Sequence, residues 1–291
     1  MQFALIARRP TPTNEELAAV AGPGSRWELM TPEEALDVLV AGDVALGRLD
    51  VLPTLDGMDD GLWALGALAA RGVVVLNDPP ALLGAHDKLL TSRLLRRAGV
   101  PHPQTWHVRD GRPAPVPRLP VVVKPRFGSW GSEVHRCAEY GELHSALASV
   151  RDTTWFTRHG ALVQELVTPS GYDLRIVVAE GRVVGSVFRI AAPGEWRTNV
   201  ALGGVRRAVT QPPLDACTIA IAAAAAIGAS LVGVDLLPDG ESWTVLELNG
   251  AVELTHEYAP WGDVFSEIAS VLRRTALERL SLRTHLARDI A

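Results

Sequence analysis

Cysteine is nearly absent: Cys137 and Cys217 are the only two in 291 residues, far apart and in no Cys-x-x-Cys arrangement. A disulfide framework and a cysteine-rich zinc site are therefore excluded, and a reducing, cytoplasmic location is expected. Positive charge is not in excess either. The 28 Lys and Arg against 33 Asp and Glu leave a net charge of −5, which excludes a nucleic-acid binder working through a basic footprint. The opening MQFALIARRP has too short an apolar run for a signal peptide and no basic region before it. One stretch, 216–234, carries no charge for 19 positions, close to the length of a spanning helix. Ala dominates it, and Gly228, Ser230 and Gly233 interrupt it. It reads as a buried helix over 215–227 and a strand over 231–237, with no membrane role.

Two familiar phosphate loops are missing as well. There is no Walker Gly-Lys-Ser/Thr and no Gly-x-Gly-x-x-Gly turn, and the first apolar strand, 3–7, is not followed by glycines. A dehydrogenase is thereby set aside. His86, His102, His107, His135, His144, His159 and His256 form no spaced metal motif and read as surface or satisfied core.

What is present is a globular composition, 47% hydrophobic, long enough for about two domains. Asn14 caps a helix from Glu15, and Thr31-Pro32-Glu33-Glu34 starts another. Strands are expected at 44–46, 51–52 and 73–76, with a helix over 59–71 stopped by Gly72, which makes a small parallel α/β unit ending near Pro79. A helix over 86–98 follows, then a Pro-rich linker, 101–120, carrying a strand at 105–108. Strands at 121–124, 161–167, 174–179 and 183–190, a helix at 139–150, a hairpin at 231–248 and a last helix at 261–279 complete the reading, with fraying expected over the last ten or so residues.

The hairpin carries the first chemical signal. Pro238-Asp239-Gly240 is its turn. Val232, Val234 and Leu236 share one strand face and Asp235 takes the other, while Glu247 and Asn249 share a face opposite Leu246 and Leu248. Such a turn sets Asp235 beside Val245 and diagonal to Glu247, with the three polar groups within about 8 Å. Two carboxylates and a carboxamide on an apolar hairpin need compensation, and an oxygen-only set suits Mg²⁺; an ordinary solvent-facing strand edge is the alternative. Lys124 closes the apolar strand Val121-Val122-Val123 with no nearby acid, so a distant anion or a snorkelling stem is implied. The run Arg126-Phe127-Gly128-Ser129-Trp130-Gly131-Ser132 can turn several backbone N–H groups inward as an anion nest, or be a plain turn. Arg175, Arg189 and Arg197 could clamp a phosphoryl group or a carboxylate, or form a solvated basic face.

In order, Lys88, Lys124, the Gly/Ser loop, Gln164-Glu165, Asp173, Arg197-Thr198-Asn199, Asp235, Glu247 and Asn249 resemble the ATP-grasp ligases, most closely the RimK/LysX-like branch, which adds amino acids to a carboxylate on a protein or carrier. The resemblance covers about 77–253. It implies an α/β ATP-grasp fold with an N-terminal unit at 1–80, a central subdomain at 81–166 and a C-terminal subdomain at 167–285. It further implies that Lys88, Lys124 and the loop residues Gly128, Ser129, Trp130, Gly131 and Ser132 meet ATP phosphates. Gln164, Glu165 and Leu166 would lie at the adenine hinge, the last two contacting adenine through the backbone, and Asp173 would hold ribose. Arg197, Thr198 and Asn199 would approach the phosphates. Asp235, Glu247 and Asn249 would bind Mg²⁺, with Mn²⁺ as a substitute. Arg175, Arg189 and Arg197 would act on the transferring group, and Arg189, Gly203, Gly204, Asn249, Gly250 and Ala251 would line the substrate site, the paired glycines letting backbone approach the substrate.

The implied reaction is ATP-driven amide formation between an amine or amino acid and a carboxylate through an acyl phosphate, releasing ADP. The implied partners are a carboxylate acceptor, including a small acidic carrier protein or peptide, and further copies of the chain as a dimer or tetramer. After Asn249 the chain reads Gly250-Ala251-Val252-Glu253-Leu254. The lysine- and arginine-biosynthetic members read closer to Asn-His-Thr there, and the ribosomal-protein-modifying members closer to Asn-Ser-Asn-Pro-Gly, so substrate identity does not carry over. A non-catalytic nucleotide-binding protein and an ATP-grasp phosphotransferase are the alternatives.

Overall fold

The computed structural model describes residues 1–20, 27–109, 118–259 and 262–290. Its first sheet is parallel, with strands β1 (Phe3–Ile6), β2 (Trp27–Met30), β3 (Val44–Gly47) and β4 (Val74–Leu76) in the order β2-β1-β3-β4. Helices α1 (Pro12–Ala19), α2 (Pro32–Val38) and α3 (Leu62–Ala70) connect them. Helix α1 begins earlier than its sequence suggests. Thr11 accepts from the Asn14 N–H and Pro12 takes the first turn, where a missing N–H costs nothing. Asn14 is thereby moved inside the helix and its side chain is spent elsewhere. The strand expected at 51–52 is a single bridge between Val51 and Met58, and β2 was not anticipated.

The helix expected over 86–98 is α5 (Lys88–Arg97), and α4 (Pro79–His86), which leads directly into it, was not anticipated. Asp78 caps α4. Asp87 ends it and caps α5, its carboxylate accepting from the N–H groups of Leu89 and Leu90. A second, antiparallel sheet follows, built from β5 (Thr105–Val108), β6 (Val121–Pro125), β7 (His135–Cys137) and β8 (Ala161–Glu165) in the order β5-β8-β6-β7. Helices α6 (Tyr140–Val150) and α7 (Thr154–His159) cover one of its faces through Leu143, Trp155 and Phe156. The middle of the Pro-rich linker, 110–117, lies outside the described residues.

The third sheet holds β9 (Tyr172–Ala179), β10 (Arg182–Ile190), β11 (Val205–Ala208), β12 (Leu231–Asp239) and β13 (Ser242–Asn249), ordered β11-β10-β9-β12-β13 and antiparallel throughout. Helix α8 (Leu214–Ile227) packs its alanines under one face, against Val232, Val234 and Leu236. The uncharged stretch thus divides into α8, stopped by Gly228 in the left-handed region, and β12. Among the described residues no helix is long and apolar enough to cross a membrane.

Helix α9 (Val264–Ile290) runs beyond the 279 expected, and its expected first residue, Trp261, lies outside the described residues. It joins the third sheet to the first: Phe265, Ile268 and Leu272 share one core with Phe3 and Leu5 of β1 and with Val177, Ala179 and Leu231. Segment 81–100, read with the central unit, packs on the third sheet instead, where Ala85, Leu95 and Val100 enter the core beneath α8 and β13. The reason is apolar content: Leu94 and Leu95 of α5 join the core made by the alanines of α8, a face small enough to admit them.

Candidate active site

The charged residues stand in two rows across the third sheet. Register sets Arg206 opposite Arg189 and Arg189 opposite Asp173. In the next row Arg175 is opposite Asp235, and Asp235 is opposite Glu247. Asp235 therefore faces Glu247 directly, not Val245 as the regular turn implied. A β-bulge between Asp235 and Leu236 is the cause: Leu236 pairs with Val245, and Leu246 is the extra residue. Val245 and Leu248 enter the core, so the bulge leaves both Leu246 and Glu247 looking into the cleft. The expected pairing of Leu246 with Leu248 on the covered face is corrected accordingly.

A cleft of about 900 Å³ separates the second and third sheets. Lys88, Lys124, Gly128, Ser129, Gly131, Ser132, Gln164, Glu165, Leu166, Arg189, Arg197, Thr198 and Asn199 line it, with Val122, Leu237 and Leu246 as its apolar walls. Lys124 on β6 is buried, and its Nζ donates to Gln164 Oε1 at 2.7 Å. Burial, helped by Lys88 and opposed by Glu247, pushes its ammonium down to about 8. Lys88 opens α5, donates to the Gly128 carbonyl and lies 3.6 Å from Glu247. The chain has no lysine besides these two.

The loop after β6 lies over the cleft. Gly131 has φ of +74°, and a Cβ there would meet Asn199 Oδ1 at 2.8 Å, so only glycine allows this approach. Arg197 donates to the Gly131 carbonyl at 2.9 Å and pairs with Glu195, whose carboxyl its hydrogen bonds hold down at about 2. The N–H groups of Glu165 and Leu166 donate to the carbonyls of Gln104 and Pro120, and the Glu165 carboxylate accepts from the Gln104 N–H at 3.2 Å. Trp196 lines the cleft and Trp130 lines the cavity beyond it.

Asp173 is corrected. It is fully buried and takes a bidentate Arg189 pair and the Thr198 hydroxyl, so it stands behind the wall and offers no surface to a ribose. Asp235 is also fully buried. Both of its oxygens accept from Arg175, at 2.5 and 2.7 Å, and one also accepts from Arg189 at 2.7 Å. Burial alone would raise its pKa, but the two guanidinium groups outweigh that and hold the carboxyl well below the usual range. As the side chains stand, Asp235 is withheld from a metal. Glu247 and Asn249 are not: Glu247 lines the cleft, and the Asn249 amide nitrogen is buried without a partner. Their hard oxygens fit a cation of the Mg²⁺ type. Among the described residues no group of three or more His, Cys, Asp or Glu could hold a metal.

A second cavity adjoins the cleft, and Ser129, Arg189, Asn199 and Glu247 line both. Arg175, Asn249 and Ala251 line this second space. Gly203, Gly204 and Gly250 do not. A Cβ on Gly204 would meet the carbonyls of Thr198, Asn199 and Ile190 within 3.1 Å, and one on Gly250 would meet Leu82 and His86. The glycine character of Gly204 and Gly250 serves close packing within the chain, and that of Gly203 its φ of +90°, so none of the three is placed on the substrate wall as expected.

Three residues escaped the sequence reading, which takes His86 as surface or satisfied core. Arg206, from β11, lines the second cavity, as does Asp50, from the segment after β3. Asp50 Oδ1 lies 3.3 Å from the buried His86, whose Nε2 has no partner, so His86 is not the satisfied core residue expected. Arg48 is buried, bonded to Asn14 Oδ1 and the Val252 carbonyl, and burial pushes it down to about 10 against the opposing pull of Asp50 and Glu253. A signal existed: Arg48 and Asp50 follow β3 at the carboxyl edge of a parallel sheet whose order reverses between β1 and β3, where ligands collect in open α/β folds.

The RimK-like ATP-grasp domain matches residues 85–266. The chain is 34% identical over 223 residues to a probable alpha-L-glutamate ligase of Aeromonas salmonicida, covering 74% of this chain and 73% of that protein. It is 28% identical over 262 residues to the tetrahydromethanopterin:alpha-L-glutamate ligase of Methanosarcina acetivorans, covering 78% and 76%. The fold is shared with a RimK-domain ATP-grasp protein of Sphaerobacter thermophilus (TM-score 0.69, 18% identity, 93% of this chain and 99% of that one). It is also shared with the D-alanine–D-alanine ligase of Bacillus anthracis in complex with ATP (0.71, 17%, 97% and 99%). The chain therefore belongs to the RimK-like ATP-grasp family of carbon–nitrogen ligases.

Proposed function

We propose that the chain joins an amino acid of the glutamate type to a carboxylate acceptor, through an acyl phosphate, with Mg²⁺ and with release of ADP. The observation that carries this reading is the shared wall: the cleft and the second cavity meet at Ser129, Arg189, Asn199 and Glu247, so a group bound in one can react with a group bound in the other. The names of the two relatives, both glutamate ligases, support the amino acid.

A carboxylate resists amines because oxide is a poor leaving group. In the proposed sequence, an acceptor oxygen attacks the γ-phosphorus of ATP, forming a new P–O bond while the bond to the ADP oxygen breaks. The amine nitrogen then attacks the acyl carbon, phosphate departs with the C–O electron pair, and the amine proton leaves to solvent. Leu237, Leu246 and Val122 enclose the base, and Lys88 and Lys124 hold the phosphates. Arg189, oriented by Asp173 and Asp235, faces the transferring group. Glu247 and Asn249 would hold Mg²⁺, which supplies positive charge to the phosphoryl oxygens. The loop 128–132 excludes water that would hydrolyse the acyl phosphate. A small acidic carrier protein or peptide as acceptor, with a dimer or tetramer as the working form, belongs to the same proposal.

The test is ADP release from ATP and Mg²⁺ with L-amino acids and candidate acceptors, followed by mass analysis. The expected result is ADP that depends on the amine, together with a product heavier by an amino acid less water. AMP as product, or phosphate transferred without an amide, would overturn it.

A further inference from the structure

Arg206 is paired differently from the other arginines of the two rows. Register sets it directly opposite Arg189, and like charges facing each other across strands repel. Arg189 is compensated from behind by Asp173 and Asp235, and Arg175 by Asp235. Arg206 has a looser ion pair with Glu253, at 3.8 Å and beyond hydrogen-bond reach, and its Nε is buried without any partner. A guanidinium group facing a second cation, with a buried donor unmet and a carboxylate only at ion-pair distance, has the capacity for a closer anion. The place for one is the second cavity, which Arg206 lines and the nucleotide cleft does not reach at that point.

The cavity also says which anion. Asp50 and Glu253 stand on the same lining, both half-exposed, and Glu247 lies at its inner edge. With Arg175, Arg189 and Arg206 on it too, the lining presents both signs to a ligand. One that carries a carboxylate beside an ammonium matches both signs, and that is an amino acid. We propose that Arg206 is the specificity-determining residue of this ligase: it receives the non-reacting carboxylate of the amine-bearing substrate, an α-amino acid, and thereby excludes amines without that group. This rests on the ligase reading above and narrows it to one side chain and one substrate group.

The experiment titrates the full chain, saturated with a non-hydrolysable ATP analogue and Mg²⁺, with L-glutamate, L-alanine and glycine, and with the amide of each in which the α-carboxylate is replaced. Wild type is expected to bind at least one acid and to prefer it to its amide roughly 10- to 100-fold, the value of a charge-assisted hydrogen-bonded pair. Arg206→Gln should abolish that preference by weakening the acid alone, and Arg206→Lys should restore part of it. Analogue affinity should be the same in all three proteins, since Arg206 does not line the nucleotide cleft. The proposal is overturned if Arg206→Gln weakens acid and amide equally, if it weakens the analogue instead, or if wild type holds the analogue yet binds none of the acids. Failure of wild type to bind the analogue would tell against the ligase reading itself.

Discussion

At the scale of single residues, Lys124 is where burial and function meet most directly. It sits in a dry part of the cleft beside Lys88, with Gln164 its hydrogen-bond partner and Glu247 the carboxylate that opposes its shift. Bound phosphate would favour its charged form. Lys124 stays protonated below about pH 8 and loses its proton above, so affinity for an ATP analogue should be flat below pH 8 and fall as pH rises through it. Lys124→Met should bind weakly at pH 7 and lose that fall. Because the chain has two lysines, ε-¹³C-lysine labelling gives two signals, and one should titrate near 8 without nucleotide and higher with it. Two signals that both titrate near the ordinary lysine value of about 10.4 would refute this. The sequence made the lysines, the Gly/Ser loop and Glu247 legible, because short motifs carry their own chemistry. That the chain has only two lysines was a further signal in plain view. The holding of Asp235 by Arg175 and Arg189 was not legible, since those partners lie 60 and 46 positions away and only the sheet register brings them together.

Among the elements, the hairpin β12–β13 shows how one extra residue adapts a sheet to a site. Strict alternation would give the cleft one residue in two. The bulge at Leu246 gives it two in succession, an apolar floor beside the base and a carboxylate beside the phosphates. Deleting Leu246 should leave Glu247 opposite Asp235 and Val245 opposite Leu236, as they already are. The thermal midpoint should then move little, while affinity for the ATP analogue drops roughly tenfold through lost apolar contact. Calorimetric titration beside a melting curve decides it: a collapsed midpoint with unchanged affinity per folded molecule would mean that the hairpin, not the cleft, needs the extra residue. Alternating hydrophobicity predicted both strands and the covered face of β12, but it has no symbol for an inserted residue, and so the side taken by Leu246 and the partner of Asp235 came out wrong. The break between α4 and α5 was more accessible. Asp87 followed by Lys-Leu-Leu is a cap signal, hidden because leucines continue on both sides.

For the whole molecule, the question is which parts move together when the cleft opens. The second sheet has its own core around Val121, Leu143, Trp155 and Phe156. Its ties to the N-terminal unit include surface contacts, Asp56 with Arg158 at 2.7 Å and the Asp56 carbonyl with His159 at 2.7 Å, of the kind that contribute little stability. The first and third sheets, by contrast, share one core through α9, where Phe265, Ile268 and Leu272 lie between β1 and β12. No local pattern reveals that sharing: an amphipathic last helix could have covered either sheet, and only tertiary packing chose both. It follows that the N-terminal unit and the third sheet unfold as one body while the second sheet behaves as a separable lid. Phe265→Ala should cost about 3–5 kcal/mol, and hydrogen exchange should show why. Protection should fall together in β1, β3, β9 and β12 and stay unchanged in β6 and β8. Loss confined to β1 and β3 would make the first sheet an independent appendage. Loss that also reached β6 would make the lid part of the same body, and closure of the cleft would then require another hinge.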